Sequence, residues 1–356
     1  MQNIFIFWPE VVTTFIISYF LTGYVRKISL EKKWVQPVRD RDVHRQPTSR
    51  FGGVAVFGSF WLVILIIALT ASTRLDFNSG EILSIDKKLL GVFLGGLIIF
   101  LVGIFDDKKN IHWSIKLLAQ TVSALIVVYF GIGVTFLSNP FGGGIELGIF
   151  GPLFVVLWMV VLMNAINWLD GLDGLATGIG AIASLILGML AMSSIVNQSA
   201  TGLLAFVFLG ALLGFLPWNI SPAKIFLGDN GSLFLGYFIA VLAVISGGKV
   251  ATAGLVLGLP LLDFLWVVMR RIMGGHSPFL ADKLHLHHRL LEAGFSTKQA
   301  VLFLYIISII FGIIALNTQT YEKFLSAIIL ILVIFVLGLL LVYRPKLRRV
   351  NHAGKR

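Results

Sequence analysis

The chain has no cysteine among its 356 residues, and charge of either sign is scarce, at 13% of the total. The first absence excludes disulfides and thiolate-bound metals. The second, at about half the charged fraction of an ordinary soluble domain and with a mean hydropathy of +0.93, excludes a water-soluble globule. Acidic residues are the scarcer kind, 17 Asp and Glu against 28 Lys and Arg. A net charge of +11 can draw nucleic acid, but these charges sit between apolar runs on one side of a membrane, so no nucleic-acid partner is expected. No cleavable leader is expected either. The first apolar run, Val11 to Val25, follows no basic segment and precedes no Ala-x-Ala-like site, which predicts a retained helix.

What remains is a series of apolar runs of membrane-spanning length. They fall at 4–25, 51–72, 88–105, 114–131, 151–169, 175–196, 202–217, 232–246, 251–270, 299–316 and 324–343. The expected fold is therefore an all-α polytopic membrane protein with about eleven transmembrane helices. If the basic segment Arg26–Arg50 faces the cytosol, 23 of the 28 Lys and Arg fall on that side. The other side keeps Arg74, Lys87, Lys88, Lys249 and Lys323. The bias predicts an N-terminus outside and a C-terminus in the cytosol. No solenoid repeat and no soluble module interrupts the pattern. Residues 1–356 read as one integral-membrane domain, with a basic cytosolic tail over 344–356.

Four polar motifs break the apolar pattern, and this topology assigns all four to the cytosolic side. Phe105-Asp106-Asp107-Lys108-Lys109-Asn110 ends the third run, and Asn164-Ala-Ile-Asn167-Trp168-Leu-Asp170-Gly-Leu-Asp173 ends the fifth. Gly228-Asp229-Asn230-Gly231-Ser232 opens the eighth, and His285-Leu286-His287-His288-Arg289 lies between the ninth and tenth. Each has an ordinary structural reading. Paired Asp can solvate a helix end, although a C-terminus is the wrong end of the dipole for them. DGLDG can be a turn with Gly171 and Gly174 at positive φ, and Asp229 or Ser232 can be an N-cap. The histidines can belong to a solvated loop or to a zinc site, though no Cys and no His-Glu-x-x-His helix supports zinc. Asp263, amid Leu, Phe and Trp, is expected to lie at midspan and to pair inside the bundle.

Jointly the four motifs ask for more. One face would carry Asp106, Asp107, Asp170, Asp173 and Asp229, several Asn, three His and Lys116. Hard carboxylate oxygens favour magnesium, or manganese, over zinc. Cations and imidazoles beside them suit a polyanionic substrate. The combination reads as a phosphoryl-transfer site that handles one lipid and one soluble substrate at the membrane surface.

FDDKKN, NAINWLDGLDGLATG, LGDNGS and SPFLADKLHLHHRLL, in that order, resemble the signature blocks of the polyprenyl-phosphate N-acetylhexosaminyl-1-phosphate transferases, the family of WecA, TagO and MraY. Asp40–Gly53, DRDVHRQPTSRFGG, resembles the family's first cytosolic loop, and the likeness runs from about residue 25 to about residue 298. The resemblance implies a reaction. A polyprenyl phosphate, typically undecaprenyl phosphate, attacks the β-phosphorus of a UDP-N-acetylhexosamine with magnesium present, giving lipid-diphosphate-sugar and UMP. This initiates a cell-envelope glycan at the cytosolic face of the plasma (inner) membrane. It further implies Asp229 as metal ligand, with Asp106 and Asp107 as metal neighbour and general base. A strong base is not required, because a phosphate monoester with a second pKa of about 6 is largely dianionic already. Lys116 would lie near the phosphates. Asn164, Asn167, Asp170 and Asp173 would hold the nucleotide side, with His285, His287, His288 and Arg289 beside it and Arg45 from the first loop. His287 and His288 are the catalytic candidates among the histidines.

The choice of sugar rests on the loop from Arg270 to Arg289. There His-x-His-His is similar to the WecA and TagO branch, which uses UDP-N-acetylglucosamine, and departs from the three-histidine run of the MraY branch. The short DDKKNIHWSIK linker points the same way. A UDP-N-acetylmuramoyl-pentapeptide donor is the alternative within the family. A secondary transporter is the rival outside it, although transporter sites lie near the bilayer midplane. A homodimer is compatible with all of these readings.

Overall fold

In the computed structural model, residues 4–36, 48–82, 84–194, 196–245, 249–275, 277 and 285–353 are described. Thirteen helices carry the fold: α1 (Trp8–Glu31), α2 (Gly52–Thr70), α3 (Lys87–Lys109), α4 (Trp113–Tyr129), α5 (Gly151–Leu169), α6 (Leu175–Ala191), α7 (Ser199–Asn219), α8 (Gly228–Ile245), α9 (Val250–Val256), α10 (Gly258–Met273), α11 (Leu286–Glu292), α12 (Thr297–Asn317) and α13 (Thr320–Ala353). Three short antiparallel hairpins, at 35–36/48–49, 81–82/85–86 and 136–138/144–146, are the β-structure among the described residues. Seven of the helices are long and apolar enough to cross a membrane, or eight if the bent pair α9–α10 counts as one span. The architecture is that of an all-helical polytopic membrane protein.

Every expected apolar run is helical, but one is broken. The run at 251–270 bends by 82° between α9 and α10. Gly258 and Pro260 open the second half, where proline supplies no N–H to carry the ladder through the break. The last helix also continues to Ala353, so the basic segment expected as a separate tail is helical up to that residue.

The bundle is organised around α8. All but one of its residues are buried, as expected for a helix apolar all round. Phe57, Phe60, Phe208, Phe234 and Phe238 fill the space between α2, α7 and α8, with Phe57 stacked on Phe100 of α3 at 4.0 Å. Lipid offers no hydrophobic drive between helices, so close contacts depend on small residues and interhelical hydrogen bonds. Ser18 Oγ of α1 donates to Ala211 O of α7 at 2.6 Å, and Tyr237 Oη of α8 donates to Val92 O of α3 at 2.9 Å.

A tight crossing lies where α3 meets the first turn of α8. A Cβ on Gly103 would stand 2.4 Å from Asn230 Cα, and one on Gly53 would stand 2.1 Å from Asn230 Oδ1. Residues 49–53 also pair with 226–227 through Phe226 N–H to Ser49 O (2.8 Å), Gly52 N–H to Phe226 O (3.0 Å) and Gly53 N–H to Leu227 O (2.8 Å). The loop before α2 and the start of α8 are thus one unit. Gly103→Leu is expected to wedge α3 from α8 at a cost of about 1–3 kcal/mol, lowering the melting temperature in detergent by several degrees. Gly133→Ala, which enters open space, should leave it unchanged; equal melting of the two variants would show that this crossing is not close-packed.

Candidate active site

The acidic pair closes α3 within its last turn, and neighbouring residues on a helix point about 100° apart. The two carboxylates therefore do different things. Asp107 faces α8 and is used up there. Its Oδ1 accepts the Asp229 N–H at 3.0 Å, and its Oδ2 accepts the Asn230 N–H at 2.9 Å and the Asn230 side-chain amide. These are amides that a helix start leaves without partners, so Asp107 caps α8 from another helix. The expected capping by Asp229 or Ser232 gives way to this contact. Gly228, at φ +75°, sits so close to Arg50 O that a Cβ would overlap it.

Asp106 faces the other way. Its Oδ1 accepts the Ile111 N–H at 2.9 Å, and its Oδ2 lies 2.7 Å from Lys116 Nζ. Lys116 also stands 3.9 Å from Asp229 Oδ2, and the Asp106 and Asp229 carboxylates are within hydrogen-bonding reach of one another. Two carboxylates hold such a separation only around a shared proton or a cation. Asn167, in the last turn of α5, donates to Asp229 Oδ1 at 2.7 Å and to Ser232 Oγ at 2.8 Å, which fixes the direction of Asp229. Asp170 follows at the end of α5. Burial first, and then the charge of Asp229, push its carboxyl well above the usual carboxylate range, and Arg50 opposes them.

Two residues expected on the nucleotide side also tie elements of the bundle together. Asn164, one turn deeper than Asn167, donates to Gln120 Oε1 at 2.7 Å and to Val160 O at 2.8 Å, clamping α5 to α4. Asp173 accepts the Ala223 N–H at 3.1 Å and ties the DGLDG turn to the loop before α8. Tyr305 of α12 donates to Gly174 O and holds the turn from its other side.

The histidines lie on and just before α11, packed against the same turn. A Cβ on Gly171 would stand 2.5 Å from His287 Nε2. His287 is 1% exposed, and neither ring nitrogen has a hydrogen-bond partner among the described residues. Burial, then His288 and His285, push its imidazole well below the usual histidine range, so it is neutral and offers one donor and one acceptor. His288 packs on it at 4.4 Å between ring centroids, and Arg289 is half-buried one residue on. His285 pairs with Asp263, Nδ1 to Oδ2, at 2.8 Å. Asp263 does pair inside the protein, but with the histidine motif, so the expected midspan position is wrong. The bend before α10 brings it to this end of the bundle. Arg45, and residues 278–284 of the loop expected to choose the sugar, lie outside the described residues.

Residue-type reasoning missed Arg50 and Gln120. Arg50 stood in the quoted first-loop motif, and the Gly52-Gly53 pair after it was the available sign of a close approach. Gln120 carried no motif at all. Among the described residues no three His, Asp or Glu side chains converge into a metal cage, which leaves a closed zinc shell without ligands. The Asp106–Asp229 pair fits magnesium, which takes one or two carboxylates and completes its shell with water and substrate phosphates.

The chain is similar to known proteins over most of its length. Residues 89–247 match the family described as Glycosyl transferase family 4. A Bacillus subtilis protein named probable undecaprenyl-phosphate N-acetylglucosaminyl 1-phosphate transferase is 34% identical over 92% of this chain and 90% of its own length. A Mycolicibacterium smegmatis decaprenyl-phosphate N-acetylglucosaminephosphotransferase is 33% identical over 95% and 88%. A Thermotoga maritima undecaprenyl-phosphate alpha-N-acetylglucosaminyl 1-phosphate transferase is 30% identical over 90% and 94%. Identity of this extent over nearly full length, on a helical bundle that gathers the family's acidic motifs at one end, makes the chain a member of the glycosyl transferase 4 family, on the branch of the polyprenyl-phosphate N-acetylglucosamine-1-phosphate transferases.

Proposed function

We propose that the protein transfers N-acetylglucosamine-1-phosphate from UDP-N-acetylglucosamine to a polyprenyl phosphate, undecaprenyl phosphate in a bacterial membrane, and releases UMP. The observation that carries this reading is the Asp106–Asp229 contact, bridged by Lys116, in a chain that runs nearly end to end with relatives named for this transfer. An oxygen of the lipid phosphate forms a bond to the β-phosphorus, and the bridging oxygen leaves with UMP. The nucleophile is already an anion, so bringing two anions together is the harder task. Asp229 and Asp106 are the residues that would hold magnesium, which when bound neutralises charge on the diphosphate. Lys116 supplies fixed positive charge beside the transferred group, and Asn167 keeps Asp229 aimed. Asp170 and the neutral His287 line the turn side, where the donor is expected.

The same reading has the chain crossing the plasma (inner) membrane eleven times, N-terminus outside and C-terminus in the cytosol, with the active site cytosolic. The distribution of Lys and Arg supports it. So does the presence of eleven helical runs, of which α1 stands outside the long apolar set and α4 and α6 are shorter at 17 residues. Its partners are the lipid and the UDP-sugar; a second copy of the chain is compatible with the reading, and the apolar window of α13, only 11% buried, suits contact with membrane lipid. A reporter fused after Arg356 is then cytosolic and one inserted at Lys249 external. A cytosolic signal at Lys249 would break the common face on which the site depends.

Replacements should separate the acids. Asp229→Asn is expected to abolish UMP release, with only partial recovery in excess magnesium, because a carboxamide is a neutral and weaker ligand. Asp106→Asn should lose about 10²-fold or more while melting normally. Asp107→Asn should lose activity and melt several degrees lower, since an amide nitrogen turned to the α8 N–H groups cannot accept from them. Full turnover of Asp229→Asn removes the metal assignment.

For the donor, purified protein with magnesium and undecaprenyl phosphate should release UMP from UDP-N-acetylglucosamine and turn over UDP-N-acetylmuramoyl-pentapeptide poorly. Turnover of the pentapeptide donor alone would move the protein to the other branch. UDP as the nucleotide product would mean glycosyl transfer and overturn the reaction.

A further inference from the structure

Asp263 is surrounded in sequence by Leu, Phe and Trp, in a setting where an ionised group is expensive and is kept only with partners. Both of its oxygens are used, and both by the histidine segment. Oδ2 lies 2.8 Å from His285 Nδ1, and Oδ1 accepts the Leu286 N–H at 2.8 Å. Leu286 opens α11, and His285 at the N-cap makes no side-chain capping bond of its own. Asp263 therefore caps α11 from α10 and orients the ring beside it with the same carboxylate.

That ring is the first of a stack. His285 lies parallel to His287, at 8° and 5.5 Å between centroids, and His287 lies 4.4 Å from His288. Trp168, two residues before Asp170, meets the edge of His285 at 5.7 Å and Phe264 at 4.7 Å, with the Arg271 guanidinium 4.6 Å over its ring. A carboxylate only accepts, so His285 Nδ1 carries the proton, and in the neutral ring Nε2 is left as an acceptor.

We infer that Asp263 is a positioning residue for the transfer. It sets the tautomer of His285 and, through that ring, the plane of the histidine stack, and thereby holds His287, whose ring nitrogens have no hydrogen-bond partner among the described residues, against the Asp170–Gly171 turn. This rests on the reading that α11 serves the donor side of the site. Its own content is that the acid on the bent helix acts through one imidazole, whereas a merely structural acid would act only on the packing of α10 against α11.

The test is a double-mutant cycle on UMP release in the purified protein, with melting temperature recorded for each variant. Asp263→Asn keeps an oxygen for the Leu286 N–H but presents N–H to His285 Nδ1, forcing the opposite tautomer. It is expected to lower kcat about 10–100-fold, the usual cost of losing the group that orients a functional histidine. KM for UDP-N-acetylglucosamine should stay within about twofold. Asp263→Glu, which restores the carboxylate, should recover part of the loss. In a His285→Gln background, Asp263→Asn should cost less than about twofold more, because coupled groups are not additive. Losses that multiply, or a kcat unmoved by Asp263→Asn, overturn the proposal. His287→Gln separates the two levels: wild-type turnover of that variant overturns the reading of α11 as part of the site. Its inactivity beside a fully active Asp263→Asn overturns the positioning role alone.

Discussion

The contact between the Asp107 carboxylate and the first amides of α8 is the constraint on which the site depends. It joins the last turn of one helix to the first turn of the most deeply buried one, and the glycine at 103 lets the backbones come close enough for it to form. Hydrogen bonds to a charged group contribute about 1.5–3 kcal/mol each, while burying a carboxylate costs several kcal/mol. The net stabilisation is therefore small, and what the contact supplies is register. With Asp107 locked, Asp106 is directed to the opposite side of α3, and Asp229, whose own amide is held, can point only into the cleft.

The acids divide by what they face. Asp107, Asp173 and Asp263 accept backbone N–H groups and tie one element to another. Asp106 and Asp229 face each other across Lys116, and Asp170 is destabilised as an anion by burial first and then by Asp229. The first set makes the second possible, because carboxylates that repel one another stay together only where the backbone that carries them cannot move apart.

How much of this was legible in the sequence follows from the range of each interaction. The apolar runs announced the helices because hydrocarbon thickness sets their length, and the four motifs announced the site because carboxylates are costly beside lipid. Asp106 and Asp107 looked equivalent, since adjacency in sequence does not say which way a helix turns each residue. Asp263 was taken as midspan on the assumption of a straight helix. Gly258 and Pro260 marked the possibility of a break, but 82° is set by packing. Asn164 looked like Asn167, one turn away, until Gln120 on another helix claimed it. Arg50 was passed over for the same reason, since its place beside Asp170 depends on the pairing of 49–53 with 226–227.

The electrostatics of the cleft bear on the order of events. Lys116 and Arg50 set positive charge beside Asp106, Asp170 and Asp229, and Asp170, pushed well above the usual carboxylate range, adds little negative charge of its own. A phosphate lipid and a nucleotide diphosphate brought together there repel one another. Coulomb energies of several kcal/mol arise between charges about 4 Å apart at an effective dielectric near 20. On the proposed reading, Asp229 and Asp106 would hold a divalent cation there, which would offset the charge of the diphosphate. On that reading the donor with its cation would bind before the lipid phosphate approaches, and the buried, uncharged His287 on the turn side would add no positive charge to hold the departing nucleotide.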